Sequence, residues 1–321
     1  SRFTHFCSKD EKAMSENYLE ILESVKNDRT SGAWVVARKA LQCLEALAKE
    51  KSDADVKELI SEVERVAHEI LKAQPGMAQL TNLFNVIFFT IENETSDNAL
   101  ILSRKIAGEA TRFDEYSRNA VTKVAESGGQ LINQDSVVLT HSNSSTILEI
   151  FKKAQAEGKS FHVILTESRP VCEGRERAIE LSKLGIESLY LIDAAIGVGV
   201  ERADIVLLGA DSLTESSLVN KIGTKAICLL AREAVVPCYA ACESSKFTPQ
   251  KLSPKKERPR DPNEVWDNPP SETSIENYYF DEVPLELFTG IITEDGILTP
   301  AEIGGKIRSQ KMSSKLIELM K

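Results

Sequence analysis

The spacing of apolar residues changes period once along this chain, and that change restricts the folds open to it. Up to about residue 127, apolar side chains recur three and four apart, as in helices that each bury one stripe. Tyr18, Leu19, Leu22 and Val25 make a first stripe; Trp34, Val35, Ala37, Ala40, Leu41, Leu44 and Leu47 make a second. Val56, Leu59, Ile60, Val63, Val66, Ala67, Ile70 and Leu71 make a third. Gln74-Pro75-Gly76 breaks the pattern before a fourth helix over 77–91, and Gly128-Gly129 ends a fifth, long one over 97–127. Residues 1–12 are polar and read as a loose end. After Gly129, short apolar runs at 137–139, 161–165, 189–192, 205–208, 239–241 and 288–292 read as strands. Helices at 146–157, 175–184 and 222–234 fall between them, and only a short helix follows Asp193. Strands joined through helices require right-handed crossovers and a mostly parallel sheet. The expected fold class is α/β: an all-helical N-terminal domain over 1–115, a bridging helix to about 127, and a mostly parallel α/β domain over 128–321. The Pro- and charge-rich stretch 249–270 reads as a long, mobile surface loop.

Open α/β sheets bind ligands at the carboxyl ends of their strands, so the loops there carry the functional reading. Ile205–Leu208 is a run buried on both faces, Gly209 and Ala210 clear space, and Asp211 follows at the strand end. Nine residues on stand Asn220 and Lys221, with Gly223-Thr224 opening a helix. An acid, an amide and an ammonium beside a helix start suit a small, polyhydroxylated, phosphorylated ligand; a solvated loop is the plain alternative. Thr140-His141-Ser142-Asn143-Ser144-Ser145 precedes another helix, with Thr146 and Glu149 at capping-box spacing. That loop offers backbone N–H groups to an anion, or simply caps its helix. In Thr166-Glu167-Ser168-Arg169-Pro170, Arg169 is either a two-pronged phosphate ligand or a solvated side chain. Asp193 ends the third strand and either binds ligand or caps the helix after it. His141 is the one His of these loops; His5, His68 and His162 read as surface or packed positions.

Composition removes several classes. The 321 residues carry a net charge of −10 and a pI near 5.2, which argues against a large nucleic-acid-binding face or a membrane-surface role. A local basic pocket or a basic protein partner remains open. The six Cys (Cys7, Cys43, Cys172, Cys228, Cys238 and Cys242) form no Cys-x-x-Cys pair, and no His lies near Cys238 and Cys242, so no metal is expected. Cys43 and Cys228 lie in apolar runs and read as core residues. Unpaired thiols and the lack of a signal-peptide pattern point to a reducing cytosol. No apolar run is long enough for a bilayer, no Gly-x-Gly-x-x-Gly or P-loop is present, and no cofactor is called for.

With these loops in view, Gly209-Ala210-Asp211-Ser212 and Asn220-Lys221-Ile222-Gly223-Thr224 resemble a superfamily with two branches. One branch is the regulatory (alpha, beta, delta) subunits of translation initiation factor 2B and their archaeal homologues. The other is the isomerases of methylthioribose 1-phosphate and ribose 1,5-bisphosphate. Gly32-Ala33, Thr140-His141-Ser142, Thr166-Glu167-Ser168-Arg169-Pro170 with Gly174, and Asp193-Ala194 extend the resemblance. So do Tyr279-Phe280-Asp281-Glu282-Val283-Pro284 and Ile292-Thr293-Glu294-Asp295-Gly296-Ile297, so that it covers nearly the whole chain. It implies a Rossmann-like second domain and assembly into homodimers or larger oligomers through that domain.

The resemblance also implies roles. The isomerases use a Cys in the first loop with the Asp of the Gly-Ala-Asp loop; Asp211 matches the acid, and Ser142 stands at the Cys position. A hydroxyl is a poor proton donor unless a base activates it. Gln74-Pro75-Gly76 stands where the isomerases carry Arg-Pro-Thr, with the Arg on phosphate. Ser31-Gly32-Ala33-Trp34 and the 140–149 loop look instead like the archaeal initiation-factor homologues. Asp211 and Ser142 are thus the catalytic positions, and Gly32, Ala33, Ser144, Ser145, Arg169, Asn220 and Lys221 the ligand-binding ones. The expected function is a non-catalytic, initiation factor 2B regulatory-subunit-like protein that binds a sugar phosphate or nucleotide and the alpha subunit of initiation factor 2. The alternative is an aldose–ketose isomerase converting ribose 1,5-bisphosphate to ribulose 1,5-bisphosphate. A sensor of sugar phosphate or nucleotide with another output is a third.

Overall fold

The computed structural model describes residues 17–28, 33–252, 257 and 259–321. Five helices come first: α1 (Tyr18–Asn27), α2 (Ala33–Glu50), α3 (Val56–Ala73), α4 (Ala78–Glu92) and α5 (Ala99–Leu131). Three of their starts are set by short polar side chains: Asn17, Asp55 and Asn98, before α1, α3 and α5, each accept a hydrogen bond from a first-turn N–H. Their stripes meet in one core where Leu22, Leu44, Leu59, Ile70, Leu83, Phe84 and Phe88 are fully buried. Each such side chain contributes about 1.5–3 kcal/mol relative to exposure.

The α/β part runs β1 (Ser136–Thr140), α6 (Ser145–Ala156), β2 (Phe161–Thr166), α7 (Gly174–Lys183), β3 (Ser188–Leu191), α8 (Ile196–Arg202) and β4 (Ile205–Leu208). It continues β5 (Ser212–Leu213), β6 (Ser217–Lys221), α9 (Thr224–Glu233), β7 (Cys238–Ala241), β8 (Phe280–Pro284), β9 (Gly290–Thr293) and β10 (Gly296–Leu298). Two helices end the chain, α10 (Pro300–Ser309) and α11 (Ser314–Leu319), and Leu316 of α11 returns to the first helical core. The main sheet has the order β10-β9-β7-β4-β1-β2-β3, and all its pairings are parallel except β9 with β10. The fold class is therefore the one read from the sequence: a helical N-terminal region followed by a mostly parallel α/β unit.

Four local expectations are corrected. Gly128-Gly129 does not end α5, which runs on to Leu131. The two glycines serve close packing on α6: a Cβ on Gly128 would lie 2.5 Å from Ile150, and one on Gly129 would lie 3.1 Å from Lys153. Asn220 and Lys221 lie in strand β6 of a second, antiparallel sheet, β5-β6-β8, and not in a loop. The cap of α6 is Ser144, whose hydroxyl accepts from the Ile147 N–H, and not a Thr146–Glu149 box. Asp193 makes no side-chain cap to the turn that follows it.

Candidate functional site

Strands β1, β2 and β3 run outward to one side of the sheet, and β4, β7 and β9 to the other. The direction reverses between β1 and β4, neighbours with Val138 opposite Ile205 and Leu139 opposite Val206. At such a reversal the loops diverge and leave a crevice outside the strand ends. The loops leaving at this point carry Ser142 and Asp211. Gly209 lets them meet: a Cβ there would sit 2.6 Å from both Cβ and Oγ of Ser144.

Asp211 is half-buried, and its N–H donates to the Val219 carbonyl at 2.9 Å, which ties the loop to β6. Among the described residues its carboxylate accepts no hydrogen bond. Burial pushes its pKa up to about 6, with Glu173 and Glu243 adding to the rise and Lys246 and Lys221 opposing it. An acid of that strength can take or give a proton near neutrality. Lys221 is nearly sealed from solvent; its Nζ donates to Glu173 Oε1 at 2.9 Å and lies 4.9 Å from the Tyr279 ring centre. Lys246 Nζ is 3.5 Å from Glu243 Oε1, and both side chains are buried. Burial alone would lower the pKa of Lys246, but Glu243, Cys242 and Asp211 outweigh it and hold the ammonium above its usual range. Asp211 thus stands in the field of two ion pairs, Lys221 with Glu173 and Lys246 with Glu243.

Ser142 has φ 65°, a left-handed conformation uncommon outside glycine, and its N–H donates to Ser168 Oγ at 2.8 Å. Its hydroxyl makes no hydrogen bond among the described residues. His141 is buried beside it, with Nε2 2.8 Å from the Ile222 carbonyl. A carbonyl only accepts, so Nε2 carries the proton and Nδ1 accepts from the Thr166 hydroxyl at 2.5 Å. Burial lowers the His141 pKa and keeps the ring neutral. Both ring nitrogens are engaged, and His141 is no base for Ser142.

The remaining expected residues have mixed placements. Ser144 and Ser145 open α6 at the crevice, and the Ser144 carbonyl accepts from the buried Arg177 guanidinium at 2.6 Å. Arg169 has its backbone in the site loop, where the Asp193 carboxylate accepts from the N–H groups of Ser168 and Arg169, each at 2.8 Å. Its guanidinium is exposed and donates to the carbonyls of Val265 at 2.9 Å and Glu264 at 3.3 Å. Asn220 is buried and donates to Thr224 Oγ1 at 2.9 Å, closing the turn into α9. Ala33 opens α2, and Gly32 lies outside the described residues. Gln74 donates to the carbonyls of Val25 at 2.8 Å and Asp28 at 2.7 Å, joining α1 to α3.

Three charged residues of the two ion pairs were missed by the sequence reading: Glu173, Glu243 and Lys246. Glu243 and Lys246 follow β7, a strand that was recognised, so the same strand-end rule would have found them. Next to Asp211, Ser212 borders a cavity of about 320 Å³ that is also lined by Gln74, Gly76, Thr81, Thr248 and Lys251. That volume admits a small ligand. Among the described residues no cluster of His, Cys, Asp and Glu could hold a metal ion, and no helix is long and apolar enough to cross a membrane.

Comparison with known proteins finds relatives of two kinds. The model of the initiation factor 2 subunit family matches residues 29–300. A translation initiation factor eIF-2B subunit 2-like protein of Pyrococcus abyssi is 37% identical over 292 residues, covering 89% of this chain and 98% of its own. A ribose 1,5-bisphosphate isomerase of Thermococcus kodakarensis is 31% identical over 301 residues, covering 90% of this chain and 92% of its own. The crystal structure of Pyrococcus horikoshii translation initiation factor eIF-2B superposes with a TM-score of 0.76 at 35% identity, covering 89% of this chain and 98% of that one.

Proposed function

The chain belongs to the initiation factor 2 subunit family, and from that membership we propose that it is a regulatory-subunit-like protein of initiation factor 2B type. It binds a small phosphorylated ligand, a sugar phosphate or a nucleotide, in the crevice between β1 and β4 without turning it over. Its protein partner is initiation factor 2, met through the alpha subunit, in the cytosol. One observation carries the non-catalytic part. Proton transfer between an aldose and a ketose needs two groups, and among the described residues only Asp211 has a carboxyl raised to about 6. The Ser142 hydroxyl has no base within hydrogen-bond reach among the described residues, since His141 is committed to Thr166 and Ile222. Gln74, a neutral amide tied to two carbonyls, brings no charge for a phosphate.

A second reading is supported by Asp211 itself. Its unpaired carboxyl, raised to about 6, suits an aldose–ketose isomerase acting on ribose 1,5-bisphosphate. Titration calorimetry with ribose 1,5-bisphosphate, AMP and hexose phosphates tests the binding claim: heat with at least one of them, lost in Asp211→Asn, is expected. No heat with any would remove the ligand role. A pull-down with initiation factor 2 subunits tests the partner, and retention of the alpha subunit is the expected result.

A further inference from the structure

Side chains tie the ends of β1, β2 and β3 to one another, in a line that starts at the edge of the sheet and finishes at the crevice. Strand β3 is the edge strand, and Asp193 follows its end. The Asp193 carboxylate accepts from the Ser168 N–H through Oδ1 and from the Arg169 N–H through Oδ2, each at 2.8 Å, and so clasps the loop after β2 with both oxygens. Ser168 is fully buried. Its Oγ accepts from the Ser142 N–H at 2.8 Å, and its own proton goes to the Thr166 carbonyl at 3.3 Å. Ser142 (φ 65°) and Ser168 (φ 61°) are both left-handed. A residue with a Cβ stays in that region only where its surroundings hold it there. For Ser142 the hold is the Ser168 hydroxyl. For Ser168 it is Asp193, together with the Cys172 N–H on the Ser168 carbonyl at 3.0 Å.

We propose that Asp193 and Ser168 are positioning residues of the crevice: they hold the Ser142 backbone in its left-handed conformation, and with it the wall that Ser142 and Ser144 form. This rests on the reading of the crevice as a ligand site, and it asks neither residue to touch the ligand. Asp193 acts through Ser168, whose hydroxyl is the acceptor of the Ser142 N–H; among the described residues that N–H has no other. With the tie removed, Ser142 is free to return to negative φ, and the turn into α6 moves with it. Ser144 lies in that turn and packs directly on Gly209 of the opposite loop. A shift there changes the gap between the two loops, and so the fit of whatever lies in it.

Ser168→Gly removes the hydroxyl and leaves a residue at ease with positive φ, and Asp193→Ala removes the clasp. Hydrogen exchange of assigned backbone amides, followed by NMR on the full chain without ligand, reads the tie. The Ser142 amide is expected to exchange about tenfold or more faster in both variants, while the amides within β1 and β2 keep their parent rates. Titration calorimetry with ribose 1,5-bisphosphate, AMP and a hexose phosphate reads the consequence. Affinity is expected to fall about fivefold or more in each variant. The double variant is expected to fall short of the product of the two single effects, since both act on Ser142. A Ser142 amide at its parent rate, or one that speeds up only together with the strand amides, overturns the proposal, as does full additivity. Parent-level affinity in Ser168→Gly overturns it with the ligand reading intact, whereas a parent chain that binds none of the three removes both. Should Asp193→Ala fail to fold, Ser168→Gly alone is judged by the same exchange and affinity outcomes.

Discussion

At pH 7 the Asp211 carboxylate is ionised in surroundings that disfavour the charge. Its folded pKa of about 6 lies above the usual 3.8, so folding binds a proton more tightly there. The stability that this gives is present below about pH 3.8 and is lost as pH rises through about 6. A shift of that size corresponds to about 2–3 kcal/mol at neutral pH. Asp211→Asn should accordingly raise the denaturation midpoint at pH 7.5 and make little difference near pH 4; an equal effect at both pH values would refute the assignment. A residue that weakens the fold where it stands is best accounted for by use. The position of Asp211 just past a strand end was legible in the sequence because the apolar run of that strand is unmistakable. Arg169 was only half legible: its loop position was read correctly, but the carbonyls that take up its guanidinium come from Glu264 and Val265, far along the chain. No local pattern announces such a partner.

Elements with a strong period were found, and those whose residues serve two surfaces were not. Strand β5 is only two residues long, β6 ends in Asn220-Lys221, and β8 contains Asp281, Glu282 and Pro284. Their polar residues do other work: Asp281 accepts from the N–H groups of Gly223 and Lys225 at the start of α9. The glycines of α5 misled for a related reason, since packing on α6 and helix termination call for the same residue. Gly174 makes the same point at the start of α7, where an added Cβ would lie 1.9 Å from the backbone oxygen of Thr166. Backbone cannot yield as a side-chain tip can. Gly174→Ala should destabilise by about 2 kcal/mol or more, whereas Gly197→Ala in α8, with nothing within 4 Å, should be neutral or stabilise by up to about 1 kcal/mol. Urea denaturation of the two variants separates these outcomes, and equal midpoints would contradict the packing account.

At the scale of the whole molecule, strand β3 is an edge of the main sheet and carries Leu189 at 40% and Tyr190 at 37% exposure, with Ile192 beyond it at 61%. An apolar edge of this kind is left for a partner or invites aggregation. A second copy of the chain is the partner we propose for this edge. Sedimentation velocity should show Ile192→Asp shifted toward the monomer at concentrations where the parent chain is dimeric; an unchanged profile would move the interface elsewhere. That helices come first and a mostly parallel α/β part follows was legible from periodicity alone. Helix α11 was not read from the sequence at all, and its return to the first core through Leu316 went unseen with it. The central claim is that the crevice binds a phosphorylated ligand and leaves it chemically unchanged. Phosphorus NMR of ribose 1,5-bisphosphate incubated with the full chain tests this most directly. Broadened or shifted ligand signals with no ribulose 1,5-bisphosphate appearing are the expected result; ribulose 1,5-bisphosphate accumulating in proportion to protein, and abolished by Asp211→Asn, would contradict it.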